Sequence, residues 1–283
     1  MGLMAAELLA REVPSLGGGV FFVFQPAEEL LTGAAAMLQD GALEGVQPDA
    51  GLAVHLMNRL PIGTVGIRSG AVMTSADRLQ VTVTGRGGHG ATPHLAIDPV
   101  VTAAHIITAV QTLVSRETPP LKTAVLSLTT LKAGTAFNII PDTVEMTGTF
   151  RSYETDLRET LLASLRRTVE GVASALRCTA HVRTDWLTPA VINDPSITAL
   201  ARQSALRIVG ENRVVETEPF TGSDDLAYFW QQTPGCYAFI GSARTDGSPV
   251  PEHHNARFDI DESALEIGTE FLLQSARRIL GAG

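Results

Sequence analysis

The sequence predicts an α/β protein whose sheet, covered by helices on both faces, is interrupted by an inserted unit of α+β type. Three observations lead there. Short, unbroken apolar strands alternate with helical periodicity near both ends of the chain, the pattern of a largely parallel sheet buried on both sides. In the middle, strands alternate polar and apolar residues, as strands wet on one face do. After that middle stretch the first style returns.

The elements follow in order. The opening MGLMAAELLAREV sets apolar residues at helical spacing up to about Val13 and carries Glu7 among them with no basic lead, so it reads as a helix rather than a signal peptide. GGGVFFVF (17–24) reads as a buried strand entered through glycines, ELLTGAAAMLQDG (29–41) as a helix closed by Gly41, and DAGLAVHL (49–56) as a second apolar strand. From about Ser75 the pattern changes to strand (77–85), helix (98–115), strand (124–132), strand (143–151), helix (154–176) and strand (179–186). That β-α-β-β-α-β order predicts a ferredoxin-like layer. A helix from NDPSITALARQSALRIVG, the strand GCYAFIG and a closing helix over 261–280 complete the chain. The expected division is therefore 1–74, 75–187 and 188–283, with the middle segment inserted.

Composition narrows the function. At 283 residues and 45% hydrophobic content the chain can bury sizeable cores. A net charge of -9 and a pI near 5.3 argue against nucleic acid or an anionic membrane surface, which call for clustered Lys and Arg. No apolar run is long enough to cross a bilayer. Cys178 and Cys236 are too few for a disulfide scaffold, which fits a cytoplasmic setting. A small molecule is the expected partner.

Ligands of open α/β sheets gather beyond the carboxyl ends of the strands, where Glu28, Glu29 and His55 fall. Adjacent carboxylates point in different directions, so one can bind a metal while the other accepts a proton from water. Imidazole and carboxylate together suit a divalent ion such as zinc or manganese. The plainer alternative is an acidic helix start favoured by the helix dipole. GRGGHGATPH (85–94) packs glycines around His89, either to let backbone approach a ligand or as a glycine-rich hairpin end. PEHHNARF sets His253 and His254 in a loop, as ligands or as surface residues. Asn138 in GTAFNIIPD offers an amide to a substrate or serves a turn. FTGSDDLAYF (220–229) opens a helix with Ser223 and two aspartates, an ordinary cap with support of the site as an extra role. Cys178 and His181 lie on opposite faces of a strand and do not form a site.

Taken in order, FQPAEE, AVHL, GRGGHGATPHLAIDPV, GTAFNIIPD, TGSDDLAYF and HNARFDIDE resemble the metal-dependent amidohydrolases that include hippurate hydrolase, auxin-conjugate hydrolases and N-acyl-amino-acid deacetylases. The resemblance implies a peptidase-like mixed sheet interrupted by a ferredoxin-like lid and dimerisation domain. It implies cleavage of N-acyl or N-aroyl amino acids with zinc, manganese or cobalt, in a homodimer joined through the lid. Glu28 matches the family's general base, Glu29, His55 and His254 match metal ligands, and His89 and Asn138 match lid residues that contact substrate. His253 matches no role.

Family members also carry, ahead of the glutamate pair, a Cys-Gly-His-Asp segment that supplies two more ligands, and the sequence has no counterpart. The resemblance therefore implies an N-terminally incomplete catalytic layer in which three ligands are left for one ion. Uncovered apolar faces and a sheet edge would lower stability and solubility relative to a chain extended upstream. The alternative to an active hydrolase is an impaired remnant that dimerises and binds acyl-amino acids without turnover.

Overall fold

A computed structural model of the chain describes residues 1–12, 16–247 and 250–281. The chain runs through α1 (Gly2–Ala10), α2 (Gly33–Gln39), β1 (Gly51–Pro61), β2 (Val65–Gly66), β3 (Gly70–Met73), β4 (Ser75–Thr84), β5 (Gly88–His89) and α3 (Pro99–Thr112). Then come β6 (Ala124–Ala133), β7 (Ile139–Ile140), β8 (Thr143–Ser152), α4 (Thr155–Ala175), β9 (Thr179–Thr188) and β10 (Val191–Asn193). It ends with α5 (Pro195–Val209), β11 (Val214–Val215), α6 (Ala227–Trp230), β12 (Gly235–Ala243) and α7 (Ala264–Ile279). Contacts divide it into one unit of Met1–Met73 with Val191–Gly283 and another of Thr74–Ala190.

The first unit is built on a mixed sheet in the order β1-β12-β2-β11. β1 and β12 run parallel, as do β2 and β11, while β12 meets β2 antiparallel. β12 is buried along its whole length, and the two-residue period of a strand sends its side chains into two different cores. Cys236, Ala238 and Ile240 join Val65, Ile67, three residues of α5 and Phe271 of α7. Tyr237 and Phe239 join Met57, Val72, Met73, Val191 and Ala227. β1 divides the same way, with Leu52, Val54 and Leu56 against the first core and Ala53 and Met57 against the second. His55 has the parity of Ala53 and Met57, which sets its ring beside those of Tyr237 and Phe239, at 6.3 and 6.4 Å between centroids. Each large side chain such as Phe271 contributes roughly 1.5–3 kcal/mol by leaving water. α5 begins sharply because Asp194 accepts hydrogen bonds from the Ser196 and Ile197 amides and Pro195 occupies its first turn.

The second unit has the succession β4-α3-β6-β8-α4-β9, with its four strands antiparallel in the order β6-β8-β4-β9. α4 buries Leu157, Leu161, Leu165 and Val169, spaced every four residues, in a core with Phe150, Ile106 and Val81. α3 starts at Asp98, whose carboxylate accepts from the Val100 and Val101 amides. The short pair β5 and β7 stands apart from this sheet.

Three expectations need correction. Residues 17–24 form no strand: Phe21 and Phe24 are 54% and 61% exposed. A strand exists only where a neighbour takes its backbone groups, and β1 pairs on one side alone, with β12, among the described residues. The helix expected over 29–41 is broken: Glu28–Leu30 is a separate 3-10 turn and α2 spans only Gly33–Gln39. Apolar periodicity could not show the left-handed backbone of Ala27 and Leu31 that separates the two. The sheet of the first unit is also less parallel than its apolar runs suggested, because the short β2 is antiparallel to β12. The opening helix ends at Ala10, and Val13 lies outside the described residues.

Candidate active site

The glutamate pair sits on a turn that the backbone has to be forced into. Ala27 (φ 53°) precedes it and Leu31 (φ 55°) follows it, both left-handed without being glycine, a conformation costing about 1–2 kcal/mol each. The Leu30 amide closes on the Ala27 carbonyl at 3.2 Å and the Leu31 amide on the Glu28 carbonyl at 2.7 Å. Gly33 follows because nothing larger fits: a β-carbon there would stand 1.6 Å from the Pro26 carbonyl oxygen. The two carboxylates are thereby set off from α2 and open the short 3-10 turn ahead of it, so the acidic start belongs to that turn and not to the expected helix.

Glu28 turns inward. One of its carboxylate oxygens lies within 4.8 Å of ligand atoms of both Asp224 and Asp225, which are buried. Partial burial raises the Glu28 carboxyl to about 7, with the negative charges of Asp224, Glu29 and Asp225 adding to the shift. The Tyr237 hydroxyl donates to Asp224 at 3.0 Å, and burial, together with that neighbour, pushes its own pKa well up. Asp224 and Asp225 belong to the segment read from sequence as a helix cap with support of the site as an extra role. The expected cap is not formed: α6 starts after Leu226 with no side-chain cap, and Asp224 instead accepts from the Leu226 amide in the turn ahead of it, while the proximity to Glu28 is there.

Glu29 turns outward and meets His254. Nδ1 of His254 lies 3.6 Å from Glu29 Oε2, and His254 itself is left-handed at φ 66°. Backbone strain of this kind gathers at functional sites. His55 is not part of that contact. Its Nδ1 meets the Leu56 carbonyl and its ring lies 5.3 Å from that of His253, whose Nε2 accepts from the Asn58 amide at 3.3 Å. Burial lowers the His253 pKa, aided by His55 and His254. Among the described residues, Glu29, His55 and His254 do not bring their ligating atoms all within 4.8 Å of one another; the group that does is Glu28, Asp224 and Asp225. His253, given no role by the sequence, thus feels the charges of both His55 and His254.

In the second unit, His89 and Asn138 flank one small ladder. His89 pairs with Ile139 in the β5–β7 register, and the Gly90 amide donates to the Asn138 carbonyl at 2.9 Å. Both side chains are exposed, and His89 Nδ1 accepts from the Ala91 amide.

A divalent ion suits the donors present. Two ligands of a tetrahedral ion held at about 2.1 Å stand about 3.4 Å apart, and the carboxylate and imidazole of Glu29 and His254 already stand at 3.6 Å. His55 on β1 offers a second imidazole, whose ring lies 5.3 Å from that of His253, the residue next to His254.

Residues 1–278 match the profile of peptidase family M20/M25/M40. The chain is 36% identical over 278 residues to the N-acetyl-L-cysteine deacetylase of Bacillus subtilis (strain 168), covering 98% of this chain and 65% of that protein. It is 36% identical over 286 residues to the IAA-amino acid hydrolase ILR1-like 5 of Arabidopsis thaliana, covering 99% of this chain and 65% of that protein. This chain therefore spans about two thirds of their length. A crystal structure from Bacillus subtilis, described as a dinuclear metal binding peptidase of the M20 family, superposes with a TM-score of 0.83 at 32% identity, covering 100% of this chain and 71% of that one.

Proposed function

The chain belongs to peptidase family M20/M25/M40, and on that premise we propose that it is a metal-dependent hydrolase that cleaves the amide bond of N-acyl or N-aroyl amino acids. The observation that carries this reading is the division of labour in the glutamate pair: Glu28 faces inward with its pKa raised to about 7, and Glu29 faces an imidazole at ligand spacing. The names of the deacetylase and the auxin-conjugate hydrolase supply the substrate class.

Glu29, His55 and His254 would hold the ion, zinc, manganese or cobalt, and to do so their ligating atoms would have to gather closer than they stand in the metal-free chain. When bound, it supplies Lewis-acid polarisation of the scissile carbonyl and acidifies water. Glu28 accepts the proton of the attacking water as the new C–O bond forms, and later delivers it to the amide nitrogen as the C–N bond breaks. A group with a pKa close to the working pH is suited to both halves of that transfer. In the metal-free chain, partial burial, followed by the charges of Asp224, Glu29 and Asp225, favours the neutral form of Glu28. His89 and Asn138 contact the substrate, and the β-α-β-β-α-β unit serves as a ferredoxin-like lid through which two copies form a homodimer.

The test is direct. The purified chain is given manganese, zinc or cobalt, and release of acetate or benzoate from N-acetyl and N-benzoyl amino acids is followed. Turnover should fall about 100- to 10,000-fold in Glu28→Gln while metal content is kept. A well-folded chain that takes up no metal and releases no acid refutes the reading.

A further inference from the structure

We infer that Asp225 is a positioning residue that clamps the two ends of the glutamate turn, and so sets where Glu28 and Glu29 stand; the catalytic meaning of that placement rests on the function proposed above. The turn is an improbable one on its own. It needs two left-handed residues that are not glycine, a 3-10 turn between them, and an approach of Gly33 to the Pro26 carbonyl that only glycine permits. No side chain within the turn caps either the 3-10 turn or α2. Such strain persists only where the surroundings over-determine it.

Asp225 supplies the determination from far along the chain. Its Oδ1 accepts from the Gln25 side-chain amide, just before the turn, and its Oδ2 accepts from the Ala34 backbone amide, just after it, at 2.8 Å. The carboxylate is fully buried, so the bond to Ala34 forms away from competing water, and the bond to Gln25 is partly shielded from it. One planar group thus fixes the entry and the exit of the loop that carries both glutamates. Burial raises the pKa of Asp225, and the two bonds work against that rise, which is what a carboxylate kept in place by its donors shows. Asp224, its neighbour, is held separately, by the Tyr237 hydroxyl and the Leu226 amide, so the two aspartates have different work.

The experiment uses the whole chain with Asp225→Ala, Asp225→Asn, Gln25→Glu and the pair Asp225→Asn/Gln25→Glu. In the pair the new amide donates to the new carboxylate while its oxygen still accepts from Ala34, so the clamp is rebuilt with donor and acceptor exchanged. Hydrogen exchange over residues 25–34, manganese affinity by calorimetry, and kcat and KM for an N-acetyl amino acid are measured. Circular dichroism checks that each variant is folded. Asp225→Asn should speed exchange in 25–34, weaken manganese about tenfold to a hundredfold, and lower kcat with KM little changed; the pair should recover most of each loss. Wild-type exchange and affinity in Asp225→Asn, or a pair no better than Asp225→Asn, overturns the inference. A wild-type chain without metal binding or turnover sinks the proposed function instead, and exchange over 25–34 still decides the clamp.

Discussion

Nδ1 of His254 stands 3.6 Å from Oε2 of Glu29, yet both side chains are about three-quarters exposed. An ion pair that open to water is worth about 0–1 kcal/mol, and His254 takes a left-handed backbone to reach it. Stability does not account for the contact, whereas the proposed metal-ligand role of the two residues would. Glu29→Ala and His254→Ala should each leave the melting temperature of the metal-free chain nearly unchanged and weaken manganese or zinc binding by at least about tenfold. Calorimetric titration and thermal melting in chelator measure the two effects, and a variant that melts much earlier but binds metal normally would assign the pair to folding.

The raised pKa of Glu28 gives a pH dependence with a definite sign. In the unfolded chain its carboxyl ionises near 4.5, and in the folded chain near 7. Below 4.5 it is protonated in both states. Between the two values the unfolded chain has released a proton that the folded chain still holds, so the contribution of Glu28 to stability falls as pH rises through that window, and above about 7 the loss is complete. Glu28→Gln has no such proton. In chelator, its melting temperature relative to the parent should climb from pH 4.5 to 7 and then level off. A constant difference across that range contradicts the burial of Glu28 beside Asp224 and Asp225.

Much of this was legible in the sequence, for identifiable reasons. β4, α3, β6, β8, α4 and β9 announce themselves because each buries one face against a core inside its own unit, so its residue period survives folding. Residues 20–24 are apolar enough for a strand, but pairing is a property of the neighbour, which no local period reports. The six motif segments single out the glutamate pair, His55 and His254, of which the structure brings Glu29 and His254 into contact and leaves His55 outside that contact. Sequence spacing could not show that Asp225 faces Gln25 and Ala34, nor that Ala27 and Leu31 are left-handed, because those features arise from contacts between distant parts of the chain. The adjacent aspartates in TGSDDL were the available signal.

Gly33 tests how tightly the turn is built. A β-carbon at this position meets the Pro26 carbonyl oxygen at 1.6 Å, so backbone has to move, whereas one at Gly45 meets nothing within 4 Å, though its φ of 74° strains any side chain. Gly33→Ala should therefore cost about 1–3 kcal/mol by overpacking and also displace Glu28 and Glu29. Gly45→Ala should cost about 1–2 kcal/mol through backbone strain alone and leave metal affinity intact. Denaturant unfolding combined with metal titration separates these outcomes; equal metal affinity in the two variants would show that the approach of Gly33 to Pro26 is not what sets the turn.

Asp77 is fully buried beneath Arg158, which donates to it through both Nε and Nη2, and the guanidinium lies 3.7 Å above the Trp186 ring. The pair joins β4 to the first turns of α4, with Trp186 of β9 closing it from outside. Removing one partner leaves a charge buried without its counter-charge, which costs about 3–5 kcal/mol, while replacing both with apolar groups of similar size is often neutral. Arg158→Met should thus lower the stability of residues 74–190 strongly, Arg158→Lys should do so less, because the charge is kept but the fork and the stacking are lost, and Asp77→Leu/Arg158→Met should be more stable than Arg158→Met alone. Hydrogen exchange in α4 and β4 reads this unit separately from the rest of the chain. A double variant less stable than the single one would mean that the pair holds the unit by more than the cancellation of two buried charges.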